Sequence, residues 1–362
     1  MANENLTNIN WYPGHMTKAK RMMQEDIKLI DLVIELLDAR VPLASRNPDI
    51  NTIAGNKSRL IILNKTDLAD PEVTKKWAEY FEKEGCFVLK INSKNPADIR
   101  PVNDIVKKAC AAKIERDRKR GIKNRPVRAM VAGIPNVGKS TFINSYAKKA
   151  ATKTGNKPGV TKGKQWIRFS SEIELLDTPG ILWPKFEDRS VGLKLAMIGS
   201  IRDEILNTED LAIELIKKLE ERYPGLIEQF YNLEDNSAKS NKCEKKEQNM
   251  SAEVNCDNDI LDDSKKENVS DNNIIDKKSE LNNADKEKTV NNKTINNCEN
   301  QGNNMILVNE KNKYAEILYE IARVRGCLLR GGELDTLKAS QLLLENFRNG
   351  KLGRISLETP EN

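Results

Sequence analysis

"GIPNVGKST" occupies Gly133 to Thr141, directly after the apolar run "VRAMVAG" (127–133) and directly before the amphipathic stretch "STFINSYAKK". Gly133, Gly138, Lys139 and Ser140 fit G-x-x-x-x-G-K-[ST], and a strand on one side with a helix on the other is the context that gives this pattern its meaning. Glycines let successive backbone N–H groups converge on phosphate oxygens at a helix N-terminus, where the helix dipole favours an anion. Strand, phosphate loop and helix in this order open an α/β nucleotide-binding domain. Lys139 is expected to reach the β- and γ-phosphates and Ser140 to ligate Mg²⁺. Asn136, Val137, Gly138 and Thr141 complete the loop.

Downstream, "DTPG" (177–180) ends another apolar run. Asp177 is expected to hold Mg²⁺ through its outer shell and the Gly180 amide to meet the γ-phosphate. Between the two, "KPGVTKG" (157–163) offers Thr161, whose hydroxyl either completes the Mg²⁺ shell or is simply an exposed loop hydroxyl. Upstream, "NKTD" (64–67) follows the apolar run "RLIIL" (59–63), at the carboxyl end of an expected strand, where ligands bind in open α/β sheets. The Asp67 carboxylate can accept both the N1–H and the N2 hydrogens of guanine, a charge-assisted pair that adenine cannot supply. Sites built on such bonds reject the analogue by roughly 10⁴-fold or more. Lys65 would lay its stem along the base and Asn64 would brace the phosphate loop, with Thr66 between that pair and Asp67. A helix N-cap at Thr66 or Asp67 is the alternative. "INSK" (91–94) follows the next strand, and its Asn92 and Ser93 are placed to present backbone amides to guanine O6.

Composition divides the rest of the chain. The runs "DLVIELLDA" (31–39), "RLIIL" (59–63), "CFVLKI" (86–91), "VRAMVAG" (127–133) and "EIELLD" (172–177) lack strict alternation, as strands buried on both faces do. Helical stretches such as "PEVTKKWAEYFEKEG" (71–85) lie between them, which predicts a doubly wound, mostly parallel α/β sheet over residues 1–205. Residues 206–232 and 312–362 carry helical spacing and predict a small all-α domain. The segment 233–311 between them is rich in Asn, Lys, Glu, Asp and Ser, with no aromatic residue between Tyr231 and Tyr314, and is expected to be disordered. Six scattered cysteines without a CxxC pair argue against a zinc ribbon or a disulfide framework and suit a reducing cytosol. No apolar run approaches a membrane span and the start lacks a signal-peptide pattern, so a cytoplasmic chain without membrane contact is expected. A net charge of +6 permits a polyanionic partner without requiring one.

The base reader precedes the phosphate loop in this chain, the reverse of the ordinary order. NKTD, NSK, GIPNVGKST, PGVT and DTPG in rotated sequence resemble the motifs of the circularly permuted GTPases. With "NWYPGHMTKAKRMM" (10–23), "LLDARVPLASRNP" (36–48) and the C-terminal helical stretch, the chain is similar to the ribosome biogenesis GTPase A family. The resemblance spans 10–231 and resumes near 313, and the Asn-rich insertion departs from it. It implies GTP hydrolysis, GDP as product, and the precursor of the large ribosomal subunit with its rRNA as partner, for a chain that is monomeric when free. A GTP-dependent regulatory switch acting on a non-ribosomal partner, a protein or a membrane, is the competing function. Ile181 stands where Ras-like enzymes carry a water-orienting Gln, so the resemblance brings forward His15, the only histidine. It orients water, contacts RNA or packs an N-terminal turn. Asn136 is similar to the asparagine of potassium-activated GTPases, which implies K⁺. Arg323, Arg325, Arg330, Arg348, Lys351 and Arg354 are the RNA contacts the resemblance implies. The basic run "KIERDRKRGIKNRPVR" (113–128) is either a second phosphate-binding surface or a solvated connecting helix.

Overall fold

The computed structural model describes residues 14–122, 125–154, 166–168, 172–178, 188–201, 203, 206–233 and 313–360. Except for Lys313 these belong to one compact unit, formed by 1–233 and 314–362. The insertion expected over 233–311 falls, Leu233 apart, outside them.

Six strands form one sheet: β1 (Leu32–Asp38), β2 (Ser58–Asn64), β3 (Phe87–Lys90), β4 (Val127–Ala132), β5 (Trp166–Arg168) and β6 (Ile173–Asp177). Their spatial order is β3-β2-β1-β4-β6-β5, with every pairing parallel except β5 against β6. Each of the five expected runs is a strand. The antiparallel edge strand β5 is an addition, too short to carry a period-2 signal.

Burial explains why the apolar runs are continuous. Every residue of β1 is buried. Along β2, Leu60 and Ile62 enter one core, while Ile61 and Leu63 enter a second with Trp77, Ala78 and Phe81 of helix α3 (Pro71–Lys83), the period-2 alternation of a strand covered on both faces. Helix α3 starts where Asp70 accepts hydrogen bonds from the Glu72 and Val73 amides, with Pro71 in the first turn, where its missing N–H costs nothing. Helices α1 (Gly14–Asp26), α2 (Asp49–Ala54), α4 (Pro96–Ile99), α5 (Val102–Ala109), α6 (Ala111–Lys119) and α7 (Lys139–Thr154) complete the sheet region.

Helices α8 (Arg189–Met197), α9 (Thr208–Arg222), α10 (Leu226–Tyr231), α11 (313–324) and α12 (Thr336–Arg348) follow. Leu211, Leu215 and Leu219 of α9 and Leu343, Leu344 and Phe347 of α12 are continuous with the first core of the sheet. Beyond α12 the chain returns to the sheet: the Ile355 amide donates to Leu68 O (2.9 Å) and the Leu357 amide to Arg40 O (2.8 Å). The buried Glu358 carboxylate accepts from the Leu43 amide (2.8 Å), the Ala44 amide and Lys194 Nζ (3.0 Å). Residues 350–358 thus form a strap lying beside the loops that follow β1 and β2.

Candidate functional site

Parallel strands deliver all their following loops to one edge. The register sets Asp38 opposite Asn64, Leu63 opposite Lys90, Glu35 opposite Ala132 and Val131 opposite Asp177. Chain order runs outward from β1 through β2 to β3, then returns to β4 beside β1. That reversal is the topological switch point at which open α/β sheets form their ligand crevice.

Asn64 joins three motifs. Its buried side-chain amide donates from Nδ2 to Val137 O of the phosphate loop (2.8 Å). Its Oδ1 accepts from the Ser93 amide (3.0 Å) and the Ser93 hydroxyl (2.8 Å). Stretches far apart in sequence are therefore held together by one amide. The fit is close: Gly138 has φ +101°, and a Cβ there would lie 2.4 Å from Asn64 Nδ2. Gly133 is constrained in the same way, since its Cβ would meet Leu36 O at 2.8 Å.

Lys65 sits in the left-handed region (φ 62°), and its ammonium lies 3.0 Å from Asp38 Oδ2. Asp38 is fully buried and also receives Arg40 Nε (2.9 Å) and Nη2 (2.8 Å). Burial by itself would push this carboxyl up, but the Arg40 guanidinium and the Lys65 ammonium outweigh it and hold the group well below the usual carboxylate range. Arg40 is equally buried and lies over the Phe347 ring.

Asp67 is exposed and takes no part in capping α3, which Asp70 does. With Thr66, Asn92, Asn95, Asp98 and Arg354 it lines a cleft of about 370 Å³. Asp98 shapes the far wall by accepting from the Asn92 amide (2.7 Å) and Asn95 Nδ2 (2.7 Å). On the phosphate side Val137 is buried, while Ser140 and Thr141 are exposed in the first turn of α7. Lys139 Nζ donates to Gly133 O (3.2 Å) and Ile134 O (3.4 Å), which folds the side chain back over its own loop. Asn136 has φ 59° and donates from Nδ2 to Gly199 O (2.7 Å), and Ser200 Oγ donates to Pro135 O (3.0 Å). The turn after α8 is thereby fastened to the phosphate loop.

The fold thus brings to one edge the residues expected from sequence, Asn64 to Asp67, Asn92, Ser93 and Asn136 to Thr141. Asp38, Arg40, Gly199 and Ser200, for which the sequence gives no role, hold that edge together. Asp38 and Arg40 stand in "LLDAR" (36–40), where an Asp closing an apolar strand was the available signal. Thr161 and Gly180 lie outside the described residues, and for His15 and Asp177 only the backbone is described, in α1 and at the end of β6. Thr178 Oγ1 donates to Val131 O (2.5 Å), fastening the end of β6 to β4.

The expected RNA contacts divide. Arg323 pairs with Glu320 on the exposed face of α11, Arg330 and Lys351 are exposed, and Arg325 lies over the rings of Phe230 and Tyr231. Arg348 grips the end of α8 through Met197 O (3.0 Å), Ala196 O (2.8 Å) and the Asp203 carboxylate. Arg354 lines the Asp67 cleft. In the basic run, Lys113 and Arg125 pair with Asp31 and Asp117, while Arg116, Arg118, Lys119 and Arg120 are exposed.

A family model described as "50S ribosome-binding GTPase" matches residues 128–253. Ribosome biogenesis GTPase A of Bacillus cereus is 39% identical over 353 residues, which is 98% of this chain and 94% of the relative. Mitochondrial ribosome-associated GTPase 1 of Bos taurus is 34% identical over 232 residues, 62% of this chain and 69% of the relative. Among solved structures, GNP-bound YlqF from T. maritima shares the fold, with a TM-score of 0.53 at 23% identity over 95% of this chain and 99% of its own.

Proposed function

The chain belongs to the ribosome biogenesis GTPase A family and is a GTPase acting in ribosome assembly, and we propose that it binds the precursor of the large (50S) subunit and its rRNA when loaded with GTP. The partner follows from the family's name, and the observation that carries the nucleotide dependence is the Asn64 bridge. A side chain that ties the base-reading loop to the phosphate loop puts both within reach of one nucleotide. Asp67 then reads guanine and Lys65, fixed by Asp38, stacks along the base, whereas the Asn92 and Ser93 amides expected at O6 are already given to Asp98 and Asn64 and shape the cleft instead. Lys139 turns from the carbonyls of its own loop to the β- and γ-phosphates.

The oxygen donors expected from the sequence suit a hard cation of Mg²⁺ type: the exposed Ser140 hydroxyl, Asp177 at the end of β6 and the Thr161 hydroxyl would hold it, and the Gly180 amide would meet the γ-phosphate. Held there, Mg²⁺ would supply neutralisation of the charge that develops on the phosphates. Asn136 commits its Nδ2 to Gly199, and its Oδ1 is the atom we assign to K⁺. His15 on α1 is the proposed water-orienting group, because Ile181 has no hydrogen-bonding atom in its side chain. Among the described residues no helix is long and apolar enough to cross a membrane, and we place the activity in the cytoplasm, with a monomeric chain.

Co-sedimentation with precursor large subunits tests the proposal. Binding is expected with a non-hydrolysable GTP analogue and not with GDP. Equal binding in both states would remove the nucleotide dependence, and binding in neither would favour the competing switch with a non-ribosomal partner.

A further inference from the structure

We propose that Arg354, carried on the C-terminal strap, is a guanine-site residue that closes the outer wall of the base cleft. This rests on the assignment of Asp67 as the base reader. Arg354 shares the lining of the Asp67 cleft with Thr66, Asn92 and Asn95. It is exposed, and among the described residues its guanidinium is engaged in no ion pair, unlike Arg348 and Arg323 on the helices nearby. Its backbone, in contrast, is firmly placed. The preceding Gly353 adopts φ +111°, a turn that L side chains rarely tolerate. The following residue, Ile355, is buried and donates its amide to Leu68 O, immediately after the NKTD loop. Asp70 N–H then donates to Ser356 Oγ (3.2 Å). The strap is thus fastened on one side of Arg354 to the same loop that carries Asp67.

An arginine held at the rim of an aromatic-base site has a defined chemical use. A planar guanidinium stacks on a π-face or donates to ring acceptors, and it is less strongly hydrated than an ammonium. In the same cleft the Asp67 carboxylate takes the hydrogens of the base, so Arg354 is left for its face and its acceptor atoms. The contact is to the base and not to the γ-phosphate, so it strengthens GTP and GDP equally.

Fluorescent-nucleotide titration of the full chain, with thermal melting in parallel, provides the test. Arg354→Ala is expected to weaken GDP and a GTP analogue by the same factor, about 3- to 10-fold, the range of one partly exposed cation–π contact. Melting without nucleotide should be unchanged, and Arg354→Lys should recover part of the affinity. Unchanged nucleotide affinity, or a loss that follows a lowered apo melting temperature, would overturn the inference. Asp67→Asn separates it from its premise. If Asp67→Asn abolishes guanine preference while Arg354→Ala does nothing, the strap residue is wrongly assigned. If Asp67→Asn leaves guanine preference intact, the base site itself is misplaced and the inference falls with it.

Discussion

Gly138 and Asn64 show how little room the site leaves. A methyl group at Gly138 would meet Asn64 Nδ2 at 2.4 Å, in a backbone region that penalises every L residue. Gly138→Ala should therefore break the Asn64–Val137 bond and lower stability by about 1–3 kcal/mol. Nucleotide affinity should drop by more than tenfold, measured by titration beside a denaturant melt. Retention of wild-type affinity would mean the two loops can function unlinked. Asp38 makes a second case with a pH signature. Its carboxyl is depressed by Arg40 and Lys65 in spite of burial, so its stabilising effect is present above its ordinary value of 3.8 and is lost as pH falls towards the folded-state value. Asp38→Asn leaves a buried guanidinium without its counter-charge, at a cost of about 3–5 kcal/mol near neutral pH. The gap between wild type and variant should narrow progressively in acid, and urea unfolding at about pH 7 and about pH 3 would read it. A gap of constant width would remove the electrostatic account.

Elements were legible from sequence where burial made the pattern loud. β1, β2 and β4 are apolar runs because both faces are covered, and their carboxyl ends name the loops that carry Asn64 and Lys139. β5 was not legible, because Trp166–Arg168 holds only three residues at an exposed edge and alternation needs more. The strap 350–358 was equally hidden. Its work is done by backbone amides and by Glu358, whose partners Leu43, Ala44 and Lys194 are distant in sequence, and no local period reports such contacts. The basic run 113–128 needed the structure to be divided. Lys113 and Arg125 face Asp31 and Asp117, whereas Arg116, Arg118 and Arg120 face solvent from α6 and the turn after it. Charge removal should divide likewise. Arg116→Gln, Arg118→Gln and Arg120→Gln together should leave melting unchanged while lowering affinity for precursor subunits. Because each lost phosphate contact takes roughly 0.7–0.9 from the slope of log affinity against log salt, that slope should flatten by up to about 2–3 units. An unaltered slope would mark the exposed arginines as a solvated helix face.

At the scale of the whole molecule, circular permutation changes what the nucleotide is wired to. β6 ends at Asp177, and the chain leads on into α8 rather than into the base reader. From α8 two sets of contacts depart. Gly199 and Ser200 fasten the turn after α8 to Asn136 and Pro135 of the phosphate loop. Arg348 fastens the end of α8 to α12, and Lys194 fastens α8 to Glu358 of the strap. The phosphate loop, the C-terminal helices and the base cleft are thereby coupled through one short helix, and a two-state shift of α8 would be felt at all three. Arg348 separates this wiring from simple RNA attraction. If it is a clamp, Arg348→Ala should retain GTP and GDP affinity within about threefold, because it touches neither motif. The preference of precursor subunits for the GTP state should shrink, because α8 no longer carries the helices with it. If it is an RNA contact, the same variant should weaken binding in both nucleotide states equally, with a reduced salt slope. Sedimentation of wild type and variant with each nucleotide, at two salt concentrations, decides between them: a loss equal in GTP and GDP would disprove the coupling through α8.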